Sequence, residues 1–112
     1  MGAFARKDIV LFPFPYTDLS IRKLRPCLVL SPELGDDVLL CQITSKKTRK
    51  DAYAVELNAT DARHGRLGVD SFVRANMLFT ADKRQIHRKL DEASDAVYRK
   101  VTEKIVGLVA LA

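Results

Sequence analysis

Two apolar runs with almost no polar interruption, Cys27–Ser31 and Val38–Thr44, are separated by the six residues Pro32-Glu33-Leu34-Gly35-Asp36-Asp37. Short continuous apolar runs without alternation suit strands buried on both faces. The Pro, Gly and Asp between them suit a turn, so the pair reads as a hairpin. The first run is entered through Leu24-Arg25-Pro26 and the second ends on Ile43-Thr44-Ser45. Pro26 fixes its own φ and biases Arg25 towards extended backbone, which holds a guanidinium at a defined point where a loop enters a sheet.

The other segments are shorter and more polar. Ile9–Phe14 reads as a strand whose Pro13 and Pro15 suit an edge or a strand exit, and a loop from Tyr16 to Leu24 follows. Lys46–Lys50 is a charged loop, Ala52–Leu57 a strand, and Asn58–Gly68 a surface loop without apolar periodicity. Ser71–Leu78 reads as a strand with Arg74 and Asn76 on one face, and Gln85–Leu90 as a short last strand. From Ser94, a plausible N-cap, the spacing Val97, Val101, Ile105, Leu108, Val109 becomes helical. Five or six short strands and a C-terminal helix predict a mainly β chain with some α, folded as a small barrel, closed or partly open.

With 112 residues, the expectation is a single domain over 1–112. A 47% hydrophobic and 29% charged composition suits a globular fold rather than disorder. There is no run of roughly 18 apolar residues and no signal-peptide h-region, so no membrane partner and a cytoplasmic location are expected. In that reducing setting Cys27 and Cys41 are expected to be buried free thiols, although on paired strands they could face each other.

The net charge of +5 is concentrated: residues 21–50 carry Arg22, Lys23, Arg25, Lys46, Lys47, Arg49 and Lys50 against Glu33, Asp36 and Asp37. Such an excess suits a polyanion held by its phosphates. Arg25 can present a bidentate fork to a phosphate, and Thr44 a hydroxyl donor. Lys23, Arg22, Lys46 and Lys47 would be backbone contacts, and Tyr16, after Pro15, could stack on a base. Each has an ordinary structural alternative: an ion pair for Arg25 with Asp18 or Asp70, a strand end for Thr44, an exposed face for Arg74 and Asn76, core packing for Phe12 and Phe14. His64 and His87 are possible bases but lie in a loop and a basic strand, and the Cys and His residues lack zinc-site spacing. No metal and no cofactor is expected.

The ordered set Phe12-Pro13-Phe14-Pro15-Tyr16-Thr17-Asp18, Arg25-Pro26, Ile43-Thr44, Asp70-Ser71-Phe72-Val73-Arg74, Thr80-Ala81-Asp82-Lys83 and the closing helix resembles the PemK/MazF family of toxin endoribonucleases. The resemblance implies an SH3-like β-barrel with an appended helix, a homodimer, metal-independent cleavage of single-stranded RNA, and a small cognate antitoxin whose tail occupies the RNA groove. It makes Arg25 the catalytic arginine, Thr44 the residue that assists it, and Arg74 a second catalytic arginine.

Three positions depart from the pattern. Asn76 stands where a carboxylate is common, which leaves it an RNA contact rather than a general base. Phe79 replaces a frequent Arg, and Lys7 a frequent Gly. Two other functions share the fold: a non-enzymatic toxin of the CcdB kind, and an inactive RNA-binding relative.

Overall fold

The hairpin forms, as the middle of a larger sheet. A computed structural model describes residues 3–15, 22–45 and 52–111. Its strands are β1 (Asp8–Pro15), β2 (Arg22–Val29), β3 (Asp37–Thr44), β4 (Ala54–Leu57), β5 (Ser71–Asp82) and β6 (Arg88–Glu92), followed by helix α1 (Asp95–Val109). The sheet order is β4-β5-β3-β2-β1-β6, with every neighbouring pair antiparallel. The sheet curls into a half-barrel, the partly open form of the expected small barrel, with β4 and β6 as its outer strands.

Neighbouring residues of the central strands enter opposite cores. Ile9, Leu28, Cys41 and Ile43 pack with Val97 and Val101 of α1, whereas Val10, Cys27, Val29 and Leu40 pack on the other face under Phe12, Phe14 and Phe79. Burial of both faces is why these strands are apolar without alternation. It also separates the two cysteines: Cys27 and Cys41 are buried and free, and they belong to different cores rather than facing each other. Burial pushes both thiols up, Cys41 to about 12.

The prolines of β1 fall where a missing N–H costs nothing. Among the described residues β1 pairs with β6 over Asp8–Leu11 alone, so Pro13 and Pro15 lie beyond that pairing while still opposite Leu24 and Arg22 of β2. That pairing draws Arg22–Leu24 into β2 and moves Arg25 from the expected strand entrance to a position within the strand, opposite Phe12. β5 likewise continues past Leu78, because Asp37–Cys41 of β3 pair with Leu78–Asp82. Lys83–Gln85 is a short 3₁₀ turn, and the last strand starts after it.

Ser94 caps α1 by accepting the Val97 N–H. Glu33, beside the β2–β3 turn, accepts the Phe4 N–H at 2.8 Å and Lys83 Nζ at 2.7 Å, tying the N-terminal segment to the end of β5. The Lys83 ammonium and the Phe4 N–H hold its carboxyl below the usual range. No helix among the described residues is long and apolar enough to cross a membrane.

Lys7, where the resemblance expects Gly, takes the left-handed backbone that Gly would supply, with φ 77°. It ends a tight turn in which the Asp8 N–H reaches the Ala5 carbonyl, and its ammonium pairs with Asp95 at 2.7 Å. The left-handed region costs a residue with a Cβ about 1–2 kcal/mol. An exposed ion pair offsets little of that. Lys7→Gly should therefore melt at or above the wild-type temperature, and the β-branched Lys7→Val several degrees below it, in a thermal unfolding series.

Candidate functional site

Arg25 and Thr44 are brought together by strand register. The β2–β3 ladder runs from Val29–Leu40 to Cys27–Gln42, and Arg25 and Thr44 each lie two residues beyond its last pair, at the same end of the hairpin. On its other side Arg25 pairs with Phe12 of β1, and Thr44 pairs with Phe72 of β5. Both positions are half-buried. Four strands thus hold one guanidinium and one hydroxyl in place.

The two residues border a cavity of about 300 Å³. Its polar lining is Lys23, Arg25, Thr44, Ser45 and Ser71, and its apolar lining includes Leu11, Pro26, Ile43, Leu67, Val69 and Leu90. Alternation along β2 and β3 turns Pro26 and Ile43 towards the α1 side of the sheet and Arg25 and Thr44 towards the Phe12 side. The cavity therefore has an apolar interior with the arginine and the threonine at its rim. Such a site can desolvate a flat apolar group while a charged one stays at the edge.

Arg74 lies further off. On β5 it is opposite Ala54, and it alternates with Phe72, which places it on the same face of the sheet as Thr44, but it is not part of the cavity wall. The expected alternation from Arg74 to Asn76 holds, with the buried Ala75 between them, and breaks at Met77. Between the pairs Cys41–Leu78 and Ile43–Val73, β5 carries more residues than β3, so it bulges over Arg74–Met77. Asn76 and Met77 are consecutively exposed there, and Asn76 is also outside the cavity.

Lys23 is exposed on the cavity wall, and Arg22 is at the start of β2. Tyr16, Lys46 and Lys47 lie outside the described residues. His64 and His87 are exposed and do not line the cavity. Among the described residues no group of three or more His, Cys, Asp or Glu could hold a metal ion.

Sequence reasoning missed Ser45, Ser71, Leu67 and Val69. Ser45 follows the flagged Ile43-Thr44 pair, and Ser71 opens a strand already singled out. Leu67 sits in a segment that reads as polar surface, yet it is 9% exposed and packed into the core. Nothing in local spacing signals that.

These features match known proteins in family and in fold. Residues 5–109 match the family described as PemK-like, MazF-like toxin of type II toxin-antitoxin system. The fold is similar to MazE-MazF from Deinococcus radiodurans, at 25% identity and a TM-score of 0.78 over 97% of this chain and 98% of that one. MazF from the same organism gives 26% identity and a TM-score of 0.75, over 96% and 97% of the two chains. An endoribonuclease in complex with its cognate antitoxin from a mycobacterial species has the same fold, with a TM-score of 0.77 at 18% identity over 98% of each chain. No curated protein matches the sequence.

Phe79, where the resemblance expects a cation, completes a cluster of rings. Its centroid is 5.3 Å from Phe12 and 5.4 Å from Phe14, and the Phe12 and Phe14 rings meet edge to face at 5.4 Å. Restoring the cation with Phe79→Arg should destabilise the protein by about 1–3 kcal/mol, because a half-buried ring and its aromatic contacts are lost. A denaturant melt checks this, and a wild-type midpoint would show that the ring is not structural.

Proposed function

The chain belongs to the PemK-like, MazF-like toxins of type II toxin-antitoxin systems, and we propose that it is an endoribonuclease cutting single-stranded RNA without a metal ion. The observation that carries this reading is that Arg25 and Thr44, at one end of the β2–β3 hairpin, line the same cavity. In the reaction the 2′-hydroxyl of the RNA attacks the adjacent phosphorus. A new O2′–P bond forms as the P–O5′ bond breaks, leaving a 2′,3′-cyclic phosphate and a 5′-hydroxyl. Water is not consumed in this step, and the proton lost by the 2′-hydroxyl is balanced by the one gained at O5′.

Charge builds on the non-bridging oxygens as phosphorus becomes five-coordinate. The Arg25 fork stabilises that charge, and Thr44 adds a hydrogen-bond donor to one oxygen. Arg74, on the same face, acts as a second clamp. Arg22, Lys23, Lys46 and Lys47 hold flanking phosphates, Tyr16 stacks on a base, and Asn76 contacts the strand without serving as a base.

The same reading gives the protein a cognate antitoxin, as in the Deinococcus and mycobacterial relatives. It also makes the active form a homodimer. Val106, Leu108 and Val109 are exposed at the end of α1, apolar surface that a second copy would cover.

Pure protein should cut a long single-stranded RNA in EDTA, and Arg25→Ala should lower the single-turnover rate by about a hundredfold or more with little change in RNA affinity. Arg25→Lys should recover little, since one ammonium cannot replace a planar fork. Cleavage that needs added magnesium, or a folded Arg25→Ala protein cutting at the wild-type rate, would overturn the assignment. Light scattering at micromolar concentration should give twice the chain mass, and a monomer would remove the dimer from the reading.

A further inference from the structure

The wall of the cavity opposite the sheet is held by one buried carboxylate. Asp91 of β6 is 1% exposed. One of its oxygens accepts the N–H of His64 at 2.8 Å and of Glu92 at 2.7 Å, and the other accepts the N–H of Arg66 at 2.7 Å. Burial alone would raise this carboxyl, but the N–H groups aimed at it hold it below the usual range. Gly65, at φ +66°, provides the reversal between His64 and Arg66, and Gly68, at φ +80°, the one that follows Leu67.

The segment so pinned carries Leu67 and Val69 onto the cavity, and Leu90, the residue before Asp91, lines it from β6. The ends of the segment are fastened separately. The Arg63 N–H donates to the Glu92 carbonyl at 2.8 Å, and the Ala59 N–H to Asp70 Oδ1 at 2.8 Å. The centre of the loop is held to the sheet through the Asp91 side chain.

We propose that Asp91 is a positioning residue for RNA binding: it fixes the His64–Val69 loop as the apolar wall that receives a base beside Arg25 and Thr44. This rests on the reading of the cavity as part of the RNA site. Arg25 and Thr44 are held by the β1–β2–β3–β5 ladders, and none of those contacts passes through the loop. Loosening the wall therefore weakens substrate binding and leaves the chemical step in place.

Asp91→Asn keeps one acceptor oxygen but turns an NH₂ group towards a backbone N–H, so it releases part of the loop. Its KM for single-stranded RNA should rise about tenfold with kcat within about threefold of wild type. Gly65→Val makes the same test without touching the carboxylate. A Cβ at Gly65 meets nothing within 4 Å, so the strain of its left-handed backbone is confined to the loop. It should give the same split and serves if Asp91→Asn does not fold.

Amide-resolved NMR of both variants should show lost exchange protection at Arg66 and shifted signals at Leu67, Val69 and Ser71, with Val29 and Val38 in the other core unchanged. Unchanged KM in a folded variant, a fall in kcat as large as the rise in KM, or unshifted cavity signals would each overturn the proposal. A wild-type protein that cuts no RNA defeats the endoribonuclease reading instead, and the cavity signals then decide the positioning role.

Discussion

The structure depends on the register of β2 between β1 and β3. This strand is buried on both faces, with Leu28 in one core and Cys27 and Val29 in the other, so a slip of one residue would exchange every side chain between two differently shaped cores. The cost of that exchange locks the ladder. Because the ladder is locked, Arg25 is opposite Phe12 and at the same end of the hairpin as Thr44, and the candidate chemistry inherits its precision from packing some distance away.

A second consequence of two-sided burial is that the sheet needs covers on both faces, and they differ in kind. On one face the cover is α1, whose Val97 and Val101 are buried. On the other it is the Phe12, Phe14 and Phe79 cluster, joined by Phe4 from the N-terminal segment. The aromatic cover explains why a phenylalanine can stand where the resemblance expects a cation: at that position the ring closes a core. The cavity forms where the α1 side runs out of strand, closed by the Leu67 loop rather than by the helix. Arg25 and Thr44 therefore sit on strands, whereas the wall that shapes the cavity sits on a loop whose centre is held to the sheet by Asp91.

By itself the sequence determined what is local or periodic. The β2–β3 hairpin was legible because apolar runs and a Pro-Gly-Asp turn leave few alternatives, and α1 because Ser94 and a helical stripe mark its start and inner face. The nearness of Arg25 and Thr44 was legible too, since both flank the same hairpin and line the same cavity. Pro13 and Pro15 already suited an edge or a strand exit, and they lie beyond the part of β1 that pairs with β6 among the described residues.

Only tertiary structure decided the rest, where the controlling partner is distant in sequence. The start of β2 moved to Arg22 because β1 supplies a mate for it, and β5 ran on to Asp82 because β3 does. The bulge over Arg74–Met77, which breaks the alternation at Met77, arises from a mismatch between two strands and is invisible in either one alone. Leu67 became wall and core because Asp91 draws the backbone of a polar-looking loop inward. An aspartate's local sequence does not reveal that two of its three ligands will be backbone N–H groups some twenty-five residues away: spacing encodes faces and caps, whereas the long-range hydrogen bonds of a buried carboxylate exist only once the sheet has closed around it.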